Sequence, residues 1–188
     1  MNSIDLIILA AGQGSRLRPL TNDIPKGGVE INGISLIDRN LTQFRKVAHT
    51  NIFCVTGHAS EYFHSRFRNL IHNPEYNQTN MVWSLAKALS VITTIPSRDI
   101  IVSYGDIIVH HENIIKLINN PNDFVVLSDQ DWETLWKIRD DNYISDVETF
   151  KHENGRVVEL GKTPKARDEI NGQYVGMFKV RKTLLIKL

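Results

Sequence analysis

The chain has 188 residues, 41% of them hydrophobic, with a formal net charge of +1. That supplies enough apolar material for one good core, with one α/β domain as the natural starting point, and it leaves no broad basic field for a nucleic acid. No apolar stretch approaches the roughly 20 residues that cross a bilayer, and no charged region precedes the first apolar run, so neither a membrane span nor a signal peptide is expected.

The first element is the run Leu6-Ile7-Ile8-Leu9-Ala10-Ala11, which stops abruptly at Gly12-Gln13-Gly14-Ser15-Arg16. An Ile- and Leu-rich run of this kind reads as a buried parallel strand feeding a tight loop. Gly12 and Gly14 allow main-chain amides to approach an anion, because no Cβ stands in the way. Arg16, and Lys26 after Pro25, add full positive charge beside those amides, a combination suited to a nucleotide's phosphates. Two other glycine loops are excluded. A dinucleotide-binding fingerprint needs Gly or Ala where Leu17 stands, and no Gly-Lys-Ser/Thr run follows the first glycine at the spacing of a P-loop.

Val29 to Gly33 reads as a short strand and turn. Ser35, with Asp38 three residues on, is placed to cap a helix whose apolar face is Leu36, Ile37, Leu41, Phe44, Val47 and Ala48. Asn51 to Thr56 is the second core strand, ended by Gly57. It contains the only cysteine, Cys54, which has no intrachain disulfide partner and packs as a small hydrophobe, in keeping with a reducing, cytoplasmic setting. Tyr62, Phe63, Phe67 and Leu70 suggest a short amphipathic helix. Asn73 to Asn80 is a polar loop, with Thr79 or Asn80 capping a helix that carries Met81, Val82, Leu85, Ala88, Leu89 and Ile92. Asp99 to Tyr104 forms a third core strand ending in Gly105-Asp106. Ile114, Ile115 and Ile118 mark a helix, and Phe124 to Leu127 a strand. Val147 to Phe150 and Arg156 to Leu160 flank Asn154-Gly155 as a hairpin, and Tyr174 to Val180 is the last strand. This order predicts a Rossmann-like, doubly wound α/β fold. Its mainly parallel mixed sheet carries helices on both faces, with an antiparallel hairpin in the later half. No repeat, low-complexity tract or second domain interrupts the chain. One domain, 1–188, is expected, with a nucleotide half to about residue 110 and an acceptor half over about 111–188.

The opening loop resembles the signature of the nucleotidyltransferase superfamily: Ala10-Ala11-Gly12-Gln13-Gly14-Ser15-Arg16, then Pro19-Leu20-Thr21, then Pro25-Lys26. The resemblance implies that Leu9 to Arg16 and Lys26 cradle a triphosphate. Tyr104-Gly105-Asp106 resembles the family's metal motif, and Asp106 would then hold Mg²⁺. Asn73-Pro74 through Thr79-Asn80, with Ser84, resembles the base-reading segment. Val158 to Lys162 and Gly172 to Gly176 resemble the acceptor side, with Lys162 meeting the acceptor's phosphate and Tyr174 lining its pocket. Within the superfamily these polar motifs are most similar to the phosphocholine cytidylyltransferase-like branch, which uses CTP. The implied activity is Mg²⁺-dependent transfer of CMP to a phosphorylated small molecule such as phosphocholine, an aminoalkylphosphonate or phosphoglutamine. Pyrophosphate is released, and the product would serve cell-surface glycan or capsule modification. A sugar-1-phosphate nucleotidyltransferase using UTP or dTTP, and a nucleotide-binding regulatory module without turnover, are the alternatives.

In that scheme Arg16 attends the departing pyrophosphate and Lys26 the α-phosphate, and no nucleophilic Ser or Cys is required. Between Asp129 and Arg139 two readings stand open. Trp132 and Trp136 embrace an alkylammonium by cation–π contact, or they share a helical face and pack; Arg139 instead suits an acceptor carboxylate. Asp146 and Glu148 are either acceptor-pocket groups or solvated charges. The seven histidines show no metal-ligand spacing, and His110 and His111 are given no role. Enzymes of the family it resembles generally continue past this point with a helix and strand carrying a second acidic metal ligand, so either a C-terminal portion is missing or a partner or another residue completes the site. Homo-oligomerisation is left open.

Overall fold

The computed structural model describes residues 4–47, 51–94, 97–139 and 142–186. In chain order the strands are β1 (Ile4–Ala10), β2 (Glu30–Ile31), β3 (Ile34–Ser35), β4 (Ile52–Thr56), β5 (Asn69–His72), β6 (Asp99–Tyr104), β7 (Phe124–Asp129), β8 (Phe150–Glu153), β9 (Arg156–Leu160) and β10 (Gln173–Arg181). The helices are α1 (Leu36–Phe44), α2 (Met81–Ile92), α3 (His111–Asn119), α4 (Trp132–Arg139) and α5 (Lys182–Leu185).

The main sheet has the order β5-β4-β1-β6-β10-β7. β1 lies between two parallel neighbours, with Ile8 opposite Cys54 on β4 and Ser103 on β6. β5 joins β4 in parallel, and β10 runs antiparallel to β6. β1 has a neighbour on each side and packed layers over both faces, and Ile4 to Ile8 are buried without a break. On one face Ile7, Phe53, Val55, Ile100 and Val102 pack with Ala88 and Ile92 of α2 and Leu185 of α5. Alternation sends Leu6, Ile8, Cys54 and Ile101 to the other face, where they are equally inaccessible, so the sheet is covered on both sides. Burial pushes the Cys54 thiol's pKa far up, which leaves it an inert core group.

The caps follow the sequence closely. Ser35 Oγ accepts from Asp38 N at 3.1 Å and donates to the Asp38 carboxylate at 2.6 Å. Asn80, rather than Thr79, caps α2 by accepting from Val82 N and Trp83 N. Several expectations change. The helix expected across Tyr62 to Leu70 is instead a 3-10 turn, Ser60–Phe63, followed by β5, which contains Leu70. Pairing of Leu70 with Cys54 on the sheet edge satisfies its main chain better than one more turn of helix would. Met81 and Val82, in the first turn of α2, do not face the core but are 48% and 68% exposed. On α3 the buried positions are Ile114 and Leu117, and Ile115 points outward. Ile34-Ser35 forms a strand that folds back on β2 through Asn32-Gly33, both at positive φ. Arm β8 of the later hairpin is Phe150–Glu153, starting where Val147 to Phe150 was expected to end. Ala48 lies outside the described residues.

The chain forms two compact units, one taking residues up to Val125 and again from Gly176, the other Val126–Val175. In the second, Trp132, Val147 and Ile170 make a small core, with Trp136 and Tyr143 packed against it. Among the described residues no helix is long and apolar enough to cross a membrane.

Candidate functional site

A cavity of about 480 Å³ opens in the first unit where β1 and β6 end, the edge at which a parallel sheet presents its loops to a ligand. Leu9, Ala10, Ala11, Gly12 and Gly14 line it, as do Arg16 and Lys26. The glycines there do different jobs. A Cβ on Gly105 would stand 2.9 Å from Ala10 Cβ, and one on Gly27 would stand 3.0 Å from the Gly105 carbonyl oxygen. Those two are bare so that main chains can touch. Gly105 N donates to Leu9 O at 2.9 Å, which brings the end of β6 against the end of β1. Gly14 takes a left-handed φ of 62° and starts the turn Ser15–Leu17. A Cβ on Gly12, by contrast, would meet no protein atom within 4 Å. Open space therefore adjoins its backbone on the cavity side.

The contact of Gly27 with Gly105 brings their neighbours together. Lys26 Nζ lies 2.5 Å from Asp106 Oδ2, in a pair whose side chains are 46% and 25% exposed. Arg16 is exposed and has no ion-pair partner among the described residues. The mouth thus holds two cations against one carboxylate, beside main-chain amides. That arrangement binds a polyanion. Two expected contributors fall outside the lining. Gln13 Oε1 accepts from Arg18 Nη2 at 3.0 Å, and Ser15 is turned to solvent.

Thr79, Asn80 and Ser84 line the same cavity, with Tyr104, Gly105 and Asp106. The inaccessible Asn73 holds the first of these groups in place. Its Nδ2 donates to Thr79 Oγ1 at 3.2 Å and to Ser84 Oγ at 3.1 Å, while its Oδ1 accepts from Glu75 N. The loop is tied to α2 a second time, because Glu75 accepts from Trp83 Nε1 at 3.1 Å and pairs with Lys87 at 2.8 Å. Hydrogen bonds from Lys87 and then Trp83 hold its carboxyl below the usual range. Tyr76, within the expected base-reading segment, also lines the cavity, as do Gly27 and Met81, to which no site role is assigned from the sequence. Met81 follows the cap Asn80 directly, and an apolar residue at that point was read as the start of a core stripe. Tyr76 sits within the polar motif but its contact depends on Gly57, where a Cβ would meet Tyr76 at 2.5 Å.

The expected acceptor residues lie in the second unit. Trp132 is 1% exposed and meets Trp136 edge-on at 6.3 Å between ring centres. This settles it as a core residue, with no face open to a ligand. The Arg167 guanidinium sits 5.1 Å from the Trp132 ring centre, and that of Arg139 is 4.9 Å from the Trp136 ring centre. Arg167 also donates twice to Glu133 Oε2, at 2.9 and 2.7 Å, and Tyr143 donates to Oε1 at 2.6 Å. Those bonds, with Lys137, lower the Glu133 pKa to about 2. Arg139 reaches Asp146 at 3.3 Å. Lys162 does not join this group. Its Nζ pairs with Glu159 at 2.6 Å and its side chain is largely exposed. Tyr174 is half-buried on β10.

Among the described residues no three His, Cys, Asp or Glu side chains gather as a ready-made cation site. Asp106 alone brings a hard carboxylate to the cavity, beside the open space at Gly12. One carboxylate completed by substrate oxygens and waters is a donor set that suits Mg²⁺.

Residues 6–166 match the family described as MobA-like NTP transferase domain. The chain is 36% identical over 183 residues to a CTP:phosphoglutamine cytidylyltransferase of Campylobacter jejuni, with 94% of this chain and 72% of that protein covered. It is 35% identical to a choline-phosphate cytidylyltransferase of Haemophilus influenzae, over 45% of this chain and 38% of that protein. Among solved structures, the inositol-1-phosphate CTP transferase from T. maritima superposes with a TM-score of 0.75 at 16% identity, covering 98% of this chain and 73% of that one. That last likeness concerns the fold.

Proposed function

The chain belongs to the nucleotidyltransferase superfamily, as a MobA-like NTP transferase domain, and from that premise we propose that it transfers CMP from CTP to the phosphate of a small, anionic acceptor of the phosphoglutamine kind. The observation that carries the reading is Gly12, whose bare backbone faces space filled by no protein atom, beside Arg16 and the Lys26–Asp106 pair. Similarity to the Campylobacter protein over nearly the whole chain favours CTP and that acceptor class. Trp132 and Trp136 are each already apposed to an arginine of this chain, which disfavours a quaternary ammonium.

An acceptor phosphate oxygen attacks the α-phosphorus of CTP. A new P–O bond forms as the bond to the β-phosphate breaks, and pyrophosphate leaves with the bonding pair. The nucleophile is already anionic, so no side chain takes a proton from it. The protein's part is positioning and neutralisation of charge. Amides near Gly12 and Gly14 hold phosphate oxygens, Lys26 moves from Asp106 to the α-phosphate, and Arg16 stabilises the departing pyrophosphate. Asp106 would hold Mg²⁺, which supplies Lewis-acid neutralisation of the phosphates. Thr79, Asn80 and Ser84 face the base. The nucleotide lies in the cavity of the first unit, and Trp136, Arg139 and Tyr174, with Lys162 apart from them, are the candidate acceptor residues. The product is an activated CDP compound, made in the cytoplasm and suited to donation onto a surface glycan.

The test is pyrophosphate release with each of the four NTPs, Mg²⁺ and a panel of phosphorylated acceptors. Release with CTP and phosphoglutamine, and little with phosphocholine, is expected. Release confined to UTP or dTTP with sugar 1-phosphates would overturn the proposal, and NTP binding without release under any pairing would identify a regulatory module.

A further inference from the structure

His58 follows Gly57 at the end of β4 and belongs to no motif singled out in the sequence. Its main-chain N–H donates to the Ala11 carbonyl at 3.1 Å. Its ring Nε2 lies 2.9 Å from the Thr21 carbonyl oxygen. A carbonyl only accepts, so Nε2 carries the proton. Thr21 in turn is inaccessible and donates from Oγ1 to the Gly14 carbonyl at 2.8 Å. Ala11 and Gly14 are the two ends of the loop whose amides face the cavity. One residue therefore grips the first end through its main chain and the second through its ring, with Thr21 as the link.

We propose that His58 is a positioning residue for the phosphate loop, holding the Ala11-to-Gly14 amides in the arrangement that receives a triphosphate. The inference rests on the nucleotide site proposed above. The loop's left-handed residue, Gly14 at φ 62°, has many other conformations open to it as a glycine. A hydrogen bond to its carbonyl selects one, and His58 anchors the residue that makes this bond. The hydrogen-bonded brace itself reaches no base-reading residue, although the His58 ring also stands 6.3 Å from that of Tyr76. Thr21→Val leaves that ring pair in place, so loss of the brace there acts on phosphates and not on the nucleoside.

The experiment compares His58→Leu, which removes the ring donor, with His58→Gln, whose amide reaches a similar distance. CTP binding is measured by calorimetry and cytidine binding by ligand-observed NMR. His58→Leu should weaken CTP about tenfold, as the loss of one hydrogen bond near the upper end of its ordinary range implies. Cytidine affinity should stay within about twofold, and His58→Gln should recover CTP binding to within about threefold. Thr21→Val, which deletes the link while keeping the shape, should show the same selective loss and serves if His58→Leu fails to fold. Equal weakening of CTP and cytidine, unchanged CTP affinity, or a glutamine variant as poor as the leucine one would overturn the proposal. If the unsubstituted protein prefers UTP, the same comparison is made with UTP and uridine. The cytidylyl reading then fails while the brace is still judged.

Discussion

Gly12→Ala separates what a ligand needs from what the protein needs. No protein atom lies within 4 Å of the position the new methyl would take, and Gly12 is not among the glycines at positive φ. The folded state therefore accepts alanine without strain, and the stiffer unfolded chain raises stability by about 0.4–1 kcal/mol. For a chain of this length that is a rise in Tm of about 1–4 °C. The methyl would, however, occupy the place where phosphate oxygens meet the loop amides. A hydrogen bond to a charged group contributes about 1.5–3 kcal/mol, so losing two at the lower figure weakens CTP binding about 10²-fold. Thermal unfolding and calorimetric titration with CTP and Mg²⁺ on the same preparation read both effects. Unchanged CTP affinity would place the phosphates elsewhere, and a Tm lowered by several degrees would make Gly12 a packing residue like Gly105.

Four further outcomes follow from the same geometry. Lys26→Ala should lower turnover about 10²–10³-fold. Its Tm should move by only a few degrees, because the partly exposed pair with Asp106 contributes at most about 1 kcal/mol; unchanged pyrophosphate release would remove Lys26 from the chemistry. Gly57→Ala sets a Cβ 2.7 Å from the Ala11 carbonyl oxygen, which cannot swing aside. Overpacking of about 1–3 kcal/mol should lower both Tm and CTP affinity, and an alanine variant with wild-type melting would refute the close approach. Trp132→Ala empties the small core of the second unit at a cost of about 3–5 kcal/mol. Hydrogen exchange should accelerate over residues 126–175 while β1, β4 and β6 stay protected, and uniform exchange would contradict a separate core. Glu133→Gln tests the acid range. Because the Glu133 carboxyl titrates near 2, below its unfolded value of about 4.3, its stabilisation is in force above that unfolded value and is lost as pH falls through about 2. The Tm gap between the wild-type chain and this variant should be widest above about pH 5 and close near pH 2; a gap independent of pH would show that the Arg167 and Tyr143 bonds contribute nothing.

Local chemistry made the first unit legible. Leu6 to Ala10 is apolar throughout because a strand with two neighbours and two covered faces has no solvent side. Ser35 and Asn80 cap helices whose orphan amides lie two or three residues away, well within the range that spacing reports. The misreadings share one cause. Leu70 and Met81 are apolar, and period alone assigned both to helix faces. Leu70 is in fact held by pairing with β4, far off in sequence, and Met81 by its place at the cavity. His58 left no local signal, because its partners Ala11 and Thr21 are 47 and 37 residues away.

The amino-acid order alone determined that a strand would run into a glycine turn flanked by arginine and lysine, because buried strands and anion-binding backbone are dictated by neighbouring residues. Which glycine leaves room for a ligand and which merely lets two main chains touch was decided only when the end of β6 packed beside the end of β1. The packing fate of Trp132, the meeting of Lys26 with Asp106 and the brace through His58 are likewise tertiary. Each depends on distances between segments remote in the chain, and no local pattern encodes a distance of that kind.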